Sequence, residues 1–105
     1  MTPHSPDTIA VKVSQDLEDI VPGFLANRRR DLVTIEACLK QGDLNTVRML
    51  GHRMKGDGGG YGFHQISEIG DRLEQAALAQ DRASIAAEVT HLTNFLAKVT
   101  VVYTP

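Results

Sequence analysis

The sequence has little that would suggest a membrane, secreted or nucleic-acid-binding protein. Its 105 residues include one cysteine, Cys38, which can form neither an internal disulfide bond nor a cluster of thiolate metal ligands. No apolar run approaches the roughly 20 residues of a membrane span, and the first residues, MTPHSPDT, lack the basic start and apolar stretch of a secretory signal. Eleven basic residues against thirteen acidic ones give a net charge of −2, without the excess typical of nucleic-acid binders. We therefore expect a cytoplasmic protein that binds neither nucleic acid nor membrane.

The composition is otherwise that of one small globular domain. Apolar residues make up 42% and charged residues 23% of the chain, which are ordinary values for a soluble protein. Aromatic residues make up only 5%, and tryptophan is absent. The core is therefore expected to consist mainly of Leu, Ile, Val and Ala.

Four segments carry apolar residues at spacings of three and four, the pattern of an amphipathic helix. The helices are expected at 22–40, from 44 into the glycine-rich stretch 56–62, at 64–79 and at 82–103. Their inward positions are Leu25, Leu32, Ile35 and Leu39; Leu44, Val47, Leu50 and Met54; Ile66, Ile69, Leu73 and Ala76; and Ile85, Val89, Leu92, Leu96, Val99 and Tyr103. Since short loops force consecutive helices to lie antiparallel, these segments predict an all-α, up-down four-helix bundle.

Capping residues support the helix boundaries. Pro22 suits a first helical position, and Gly42 suits a helix end that needs a left-handed residue. Asp43 and Asp81 are predicted to cap the helices that follow them, and Ser14 a short extra helix over 14–21.

The N-terminal residues are predicted to form a loose lead-in over 1–13. Residues 10–14 (AVKVS) alternate like a strand, but the rest of the chain offers them no convincing partner, so we assign them to this lead-in. The whole chain, 1–105, is interpreted as a single domain. The start at Met1 favours a free-standing protein, and a module of a larger sensor kinase is the alternative.

A histidine with unusual neighbours lies on the outward face of the second helix. If Val47 and Met54 face the core, His52 points towards solvent, because successive helical residues are rotated by about 100°. Lys55, Gly56 and Gly59 follow at three, four and seven residues and share its face.

The glycines in this region cost stability. Each helical glycine costs about 1 kcal/mol relative to alanine, so Gly56, Gly58, Gly59 and Gly60 together cost roughly 3–4 kcal/mol if all are helical. Because glycine has no Cβ atom, these residues would leave the imidazole open to another protein, and Lys55 would supply positive charge where an anion binds. These features suit a histidine that accepts a phosphoryl group.

The pattern His52-x-x-Lys55-Gly56, followed by Gly62 and a helix that contains Leu73-Glu74, resembles the histidine-containing phosphotransfer (HPt) domain family. The motif covers about a quarter of the chain, and the bundle extends the likeness to nearly all of it. Two residues depart from the family's pattern. Gly51 precedes the histidine where the family usually has Ala, and Asp57 stands where a small neutral residue is common.

The resemblance implies a phosphorelay carrier in a two-component system, without kinase activity of its own. His52 would accept and donate the phosphoryl group, Lys55 would support it electrostatically, and Gly56 and Gly59 would allow close approach. Arg48, one turn before His52, is a candidate docking residue. The implied partners are a response-regulator receiver domain and a hybrid sensor kinase. No cofactor is expected on this chain, because Mg²⁺ would belong to the receiver domain.

Other interpretations fit the sequence less well. A phosphate-binding P-loop needs a preceding strand and a following Gly-Lys-Ser/Thr, whereas here a helix precedes the glycines and Lys55 comes before Gly56. His52, His64 and His91 lie on three helices without the paired spacing of metal ligands, so no metal site is predicted. A non-catalytic adaptor that binds a partner through an apolar groove remains the alternative function. Such an adaptor should tolerate replacement of His52.

Overall fold

The computed structural model describes residues 8–105 and has the predicted helical-bundle architecture. The elements in chain order are β1 (Ile9–Ser14), a 3-10 helix (Gln15–Leu17), α1 (Val21–Gln41), α2 (Leu44–Gly60), α3 (His64–Leu78), α4 (Arg82–Lys98) and β2 (Val99–Thr104). Each helix packs against its neighbours in the chain, and α1 also packs against α4. The predicted four-helix bundle is thus confirmed. Residues 1–7 of the predicted lead-in lie outside the described residues.

The predicted capping residues set the helix boundaries. Gly42 ends α1 in the left-handed conformation, with φ 76°. Asp43 caps α2 by accepting hydrogen bonds from the Thr46 backbone N–H (3.1 Å) and hydroxyl (2.6 Å). These hydrogen bonds, chiefly the one from the hydroxyl, hold the pKa of Asp43 below its ordinary value. Asp81 caps α4 by accepting the corresponding bonds from Ser84, and its pKa is lowered in the same way.

The core contains the predicted aliphatic faces and, in addition, most of the few aromatic residues. Every predicted inward residue of α3 is buried, and those of the other elements are buried or pack against the core at its edge. The ring of Phe24 on α1 stacks on Tyr61 (centroids 4.2 Å apart) and on Phe63 (5.5 Å). Phe63 meets Phe95 of α4 edge to face, with centroids 6.4 Å apart. This cluster joins the turn between α2 and α3 to the other helices.

Two predictions about the chain ends were wrong. The final helix does not run to Tyr103 but ends at Lys98, and 99–104 form the strand β2. Strand β2 pairs in parallel with β1, in a register that joins Ile9 to Val99 and Ser14 to Thr104. The segment assigned to a loose lead-in therefore has a strand partner. The β-branched residues of VTVVYT favour this extended conformation over a further helical turn.

The predicted N-terminal helix over 14–21 is also shorter than expected. Only Gln15–Leu17 is helical before α1 begins at Val21, and this short helix is of the 3-10 type. Ser14 caps it as predicted, because its hydroxyl accepts a hydrogen bond from the Asp16 backbone N–H (3.2 Å). Ser14 at the same time ends β1, so strand and helix follow one another without a gap.

Strand β1 packs against the bundle through alternate residues. Val13 is 2% exposed, and Ile9 and Val11 lie on the same face at the edge of the core. Val13 contacts the turn between α2 and α3, where a Cβ on Gly62 would lie 3.5 Å from its Cγ2 atom. Gly62 has φ 88°, a left-handed conformation that side chains rarely adopt. The sheet thus covers the end of the bundle at which the aromatic cluster lies.

Candidate functional site

His52 lies on the outward face of α2, as the helical periodicity predicts. Its side chain is 72% exposed. The neighbouring core residues Val47 and Met54 are fully buried, so the helix presents opposite sides to the core and to solvent. The imidazole is therefore accessible to another protein.

Glu74 of α3 holds one nitrogen of this imidazole. Its Oε2 atom lies 2.8 Å from His52 Nδ1. A carboxylate accepts hydrogen bonds, so the neutral ring carries its proton on Nδ1 and keeps its lone pair on Nε2. The Glu74 side chain is only 13% exposed, which restricts its movement. This contact orients the ring and, in the neutral imidazole, leaves the lone pair on the nitrogen that Glu74 does not contact.

Lys55 lies in the same cluster of side chains. Its Nζ atom is 3.2 Å from Asp71 Oδ1 and 3.9 Å from Glu74 Oε1. The carboxylate of Glu74 therefore contacts both His52 and Lys55, and α3 supplies a second carboxylate through Asp71. The cluster brings together the two residues that the sequence motif singles out and two acidic residues of the facing helix.

Glu74 was predicted as part of the Leu-Glu motif but not as the partner of His52, and Asp71 was not among the predicted site residues. A signal for both was present in the chain. Helices α2 and α3 are antiparallel and meet at a turn that contains Phe63. In residue number, Phe63 is midway between His52 and Glu74. It is likewise midway between Lys55 and Asp71. Pairing residues symmetrically about that turn would have placed each acidic residue opposite its partner.

Two glycines allow α2 and α3 to approach closely beside His52. A Cβ atom on Gly51 would lie 2.7 Å from the Glu74 backbone N and 2.8 Å from the Gly70 backbone O. A Cβ atom on Gly70 would lie 2.5 Å from the Lys55 backbone N. Gly51, a departure from the family's usual Ala, is therefore a requirement of this helix contact.

The glycines after Lys55 differ from one another in their surroundings. Helix α2 continues through Gly60, so Gly56, Gly58, Gly59 and Gly60 are all helical. A Cβ atom on Gly56 would have no neighbour within 4 Å, and one on Gly59 would have an ordinary contact with Ser67 Oγ at 3.5 Å. Gly58, in contrast, is packed against α3, because its Cβ would lie 2.6 Å from the Ser67 backbone N. The fold requires Gly58, whereas space around Gly56 and Gly59 is left open to solvent.

Ser67 ties the glycine-rich turn of α2 to α3. Its hydroxyl donates a hydrogen bond to the Lys55 carbonyl O (2.9 Å) and accepts one from the Gly59 N–H (2.7 Å). These are the two groups that an α-helix would join directly, four residues apart. The hydroxyl thereby satisfies backbone groups of α2 immediately after the site, which steadies a turn that is rich in glycine.

Asp57, the second departure from the family's pattern, is paired with α1. Its Oδ2 atom lies 3.7 Å from Nη1 of Arg28. Arg28 is buried, with its Nε atom 2.9 Å from Asp31 Oδ2 and its guanidinium carbon 4.9 Å from the Phe24 ring centroid. Burial raises the pKa of Asp31, although Arg28 partly offsets this effect. Asp57 thus belongs to a charge cluster between α1 and α2.

Arg48, the candidate docking residue, is partly exposed one turn before His52. Its guanidinium donates to Asn45 Oδ1 from Nη2 (3.0 Å) and from Nε (3.3 Å). It lines a groove of about 460 Å³ together with Leu78 of α3 and residues of the two loops at that end of the bundle. The arrangement places a positive charge and an apolar side chain next to the His52 face.

The other histidines discussed above lie apart from this cluster. His64 is the first residue of α3, and His91 of α4 lies 3.3 Å from Glu88 Oε1 through its Nδ1 atom. Within residues 8–105, no group of three or more potential ligands could hold a metal ion. None of the helices in this range is long and apolar enough to span a membrane.

Comparison with known proteins gave one family match. The model of the Hpt domain family matches residues 15–100, which include all four helices and every residue of the His52 cluster. Strand β1 and the larger part of β2 lie outside the matched range. No curated protein and no solved structure matches the chain.

Proposed function

Since the chain belongs to the Hpt domain family, whose members are phosphotransfer modules and not kinases, we propose that it carries a phosphoryl group on His52 in a two-component phosphorelay. Within the cluster, Lys55 supports the group electrostatically and Glu74 positions the imidazole. Gly56 and Gly59 provide the space in which a partner approaches. The proposed partners are a receiver domain and a hybrid sensor kinase. His52 would exchange the phosphoryl group with an aspartate of the receiver domain.

The observation that carries this proposal is the hydrogen bond between His52 and Glu74. An exposed histidine on a helix would ordinarily rotate freely among its rotamers, whereas this ring is held through Nδ1 at 2.8 Å. The hydrogen bond selects the tautomer with a free Nε2 lone pair. A histidine that is both exposed and held in one tautomer is suited to nucleophilic attack.

The transfer step needs no base on this chain. The Nε2 lone pair forms a bond to the phosphorus of the receiver's phosphoaspartate as the bond between phosphorus and the carboxylate oxygen breaks. The electron pair leaves with that carboxylate, and the proton remains on Nδ1. The ring becomes positively charged, and the carboxylate of Glu74 stabilises this charge, as preorganised groups do where charge develops in a transition state. The reverse sequence returns the group to a receiver.

The surrounding residues favour docking of a folded partner over binding of a small substrate. The His52 side chain is 72% exposed and the space around Gly56 is open, and Arg48 adds positive charge one turn away. We place the Mg²⁺ that phosphoryl transfer uses on the receiver domain. Phosphoryl transfer relies mainly on positioning and electrostatic stabilisation, which this chain would share with its partner.

The test is labelling with phosphoramidate, a small phosphoryl donor, followed by intact mass measurement and acid treatment. We expect one acid-labile phosphoryl group on the wild type and none on His52→Gln. The exposed histidines His64 and His91 provide matched controls, since His64→Gln and His91→Gln should label like the wild type. Label that persists on His52→Gln would contradict the proposal, and absence of label from the folded wild type would favour the adaptor function.

A further inference from the structure

The ammonium group of Lys55 is already engaged by α3 in the unphosphorylated protein. Its nearest acidic partner is Asp71, at 3.2 Å, and Glu74 is more distant at 3.9 Å. The two carboxylates differ in their surroundings. Glu74 is 13% exposed and also holds His52, whereas the side chains of Lys55 and Asp71 are each about half exposed, at 49% and 47%. Asp71 is therefore the carboxylate from which Lys55 can separate without disturbing the imidazole.

A phosphoryl group on His52 would place further negative charge beside Lys55. The two residues are three apart on α2 and thus neighbours on one helical face. An ammonium group is a compact charge on a flexible stem, so it can move from one anion to another. A phosphoryl group and Asp71 would then compete for the same cation. Because an exposed ion pair contributes only a small stabilisation, the competition is close enough to be reversible.

We propose that Asp71 is a positioning residue that sets the phosphotransfer equilibrium of His52 by competing for Lys55. The inference rests on the proposed function of His52. With Asp71 present, part of the electrostatic support of Lys55 is withheld from phosphohistidine, which makes the chain a better phosphoryl donor. Without Asp71, the Lys55 ammonium group would pair with the phosphoryl group alone, and the phosphorylated form of the chain would be favoured.

The equilibrium can be measured without knowing the partner. Phosphoramidate transfers its phosphoryl group to His52 as its P–N bond breaks, the Nε2–P bond forms and ammonia leaves with the electron pair. The ratio of phosphorylated to free protein at a fixed ratio of phosphoramidate to ammonia therefore gives the equilibrium constant. We expect Asp71→Asn to raise this ratio about two- to five-fold, the range that corresponds to the energy of an exposed ion pair. The increase should diminish at high salt.

Two variants separate competition for Lys55 from a general change in charge. Glu68→Gln removes the same charge from α3, but Glu68 lies 4.0 Å from Arg72 and is part of a different ion pair. It should leave the equilibrium unchanged. In the background of Lys55→Met, Asp71→Asn should have no further effect, because the shared cation is gone.

The outcomes distinguish this inference from the proposed function. A wild type that does not label on His52 would overturn the proposed function and this inference with it. Labelling on His52 with an equilibrium that Asp71→Asn leaves unchanged, or that Glu68→Gln shifts as far, would overturn the role of Asp71 alone. So would a shift that persists in the Lys55→Met background, because Asp71 would then act on the phosphoryl group directly. Thermal unfolding of each variant would identify loss of folding as a separate effect.

Discussion

Replacing Gly51 with alanine tests the close contact of α2 and α3 that supports the site. The new Cβ atom would lie 2.7 Å from the Glu74 backbone N and 2.8 Å from the Gly70 backbone O. Both are backbone atoms within a helix and cannot turn aside as a flexible side chain would. To restore ordinary contact, the two helices must separate by about half an ångström or more, because core packing leaves no empty space for the atom.

Two effects of opposite sign determine the change in stability. Alanine in a helix is more favourable than glycine by about 1 kcal/mol, whereas overpacking a close contact costs about 1–3 kcal/mol. Gly56→Ala is the matched control, because it makes the same chemical change on the same helix with no atom within 4 Å of the new Cβ. It should be more stable than the wild type by about 1 kcal/mol. We expect Gly51→Ala to be less stable than Gly56→Ala by about 1–3 kcal/mol.

Chemical and thermal unfolding would measure this difference, since about 4–8 °C in Tm corresponds to 1 kcal/mol for a domain near this size. Phosphoramidate labelling would provide the second measurement. Separation of the helices should lengthen the hydrogen bond between Glu74 and His52, so the Gly51 variant should label more slowly even at temperatures where it is folded. Gly56→Ala should label normally with the small donor and lose activity only with a receiver domain. Equal stability of the two variants would refute the account of the helix contact.

Three further predictions concern the bundle itself. Arg28→Met should lower the free energy of unfolding by about 1–3 kcal/mol in urea denaturation, because it removes the cation that contacts Asp31 at 2.9 Å. The loss should shrink as the pH is lowered and the Asp31 carboxyl takes a proton, and a constant loss would contradict this cause. Asp43→Asn should remove part of the acid sensitivity of folding, because the pKa of Asp43 is lowered in the folded state. The ionised carboxylate therefore stabilises the fold above its unfolded pKa of about 4, and this stabilisation is lost as the pH falls through the folded pKa. An unchanged slope of stability against pH below about 4 would count against that role. Val13→Ala should lower the free energy of unfolding by about 1–2 kcal/mol, whereas Val102→Ala, at a site 38% exposed, should lower it clearly less. Equal losses of stability in thermal unfolding would argue against packing of β1 on the bundle.

The helical part of the fold was predictable because its signals are local. Apolar spacing of three and four residues, Gly42 at a helix end and Asp43 and Asp81 at helix starts act within one or two turns of chain. The same periodicity placed His52 on the solvent side of α2 and put Lys55 on its face. These inferences needed no knowledge of how the helices pack.

The strands show where local signals fail. The alternation of residues 10–14 was visible, but their partner lies at the other end of the chain, in a segment whose residues also fitted the spacing of a helix. Val99 and Tyr103 satisfy the three-four pattern of α4 as well as the alternation of β2. Only pairing between the ends, which joins Ile9 to Val99, decides between these two conformations.

The sequence by itself determined the four amphipathic helices, their caps and the shared face of His52, Lys55, Gly56 and Gly59. The tertiary structure decided which atoms surround that face. It brought Glu74 against His52 and Asp71 against Lys55, and it made Gly51 a requirement of the helix contact and not a neutral replacement for alanine. The physical reason is one of range. Rotation along a helix is fixed by neighbouring residues, whereas contacts between helices depend on their register and separation, which the packing of the whole core sets.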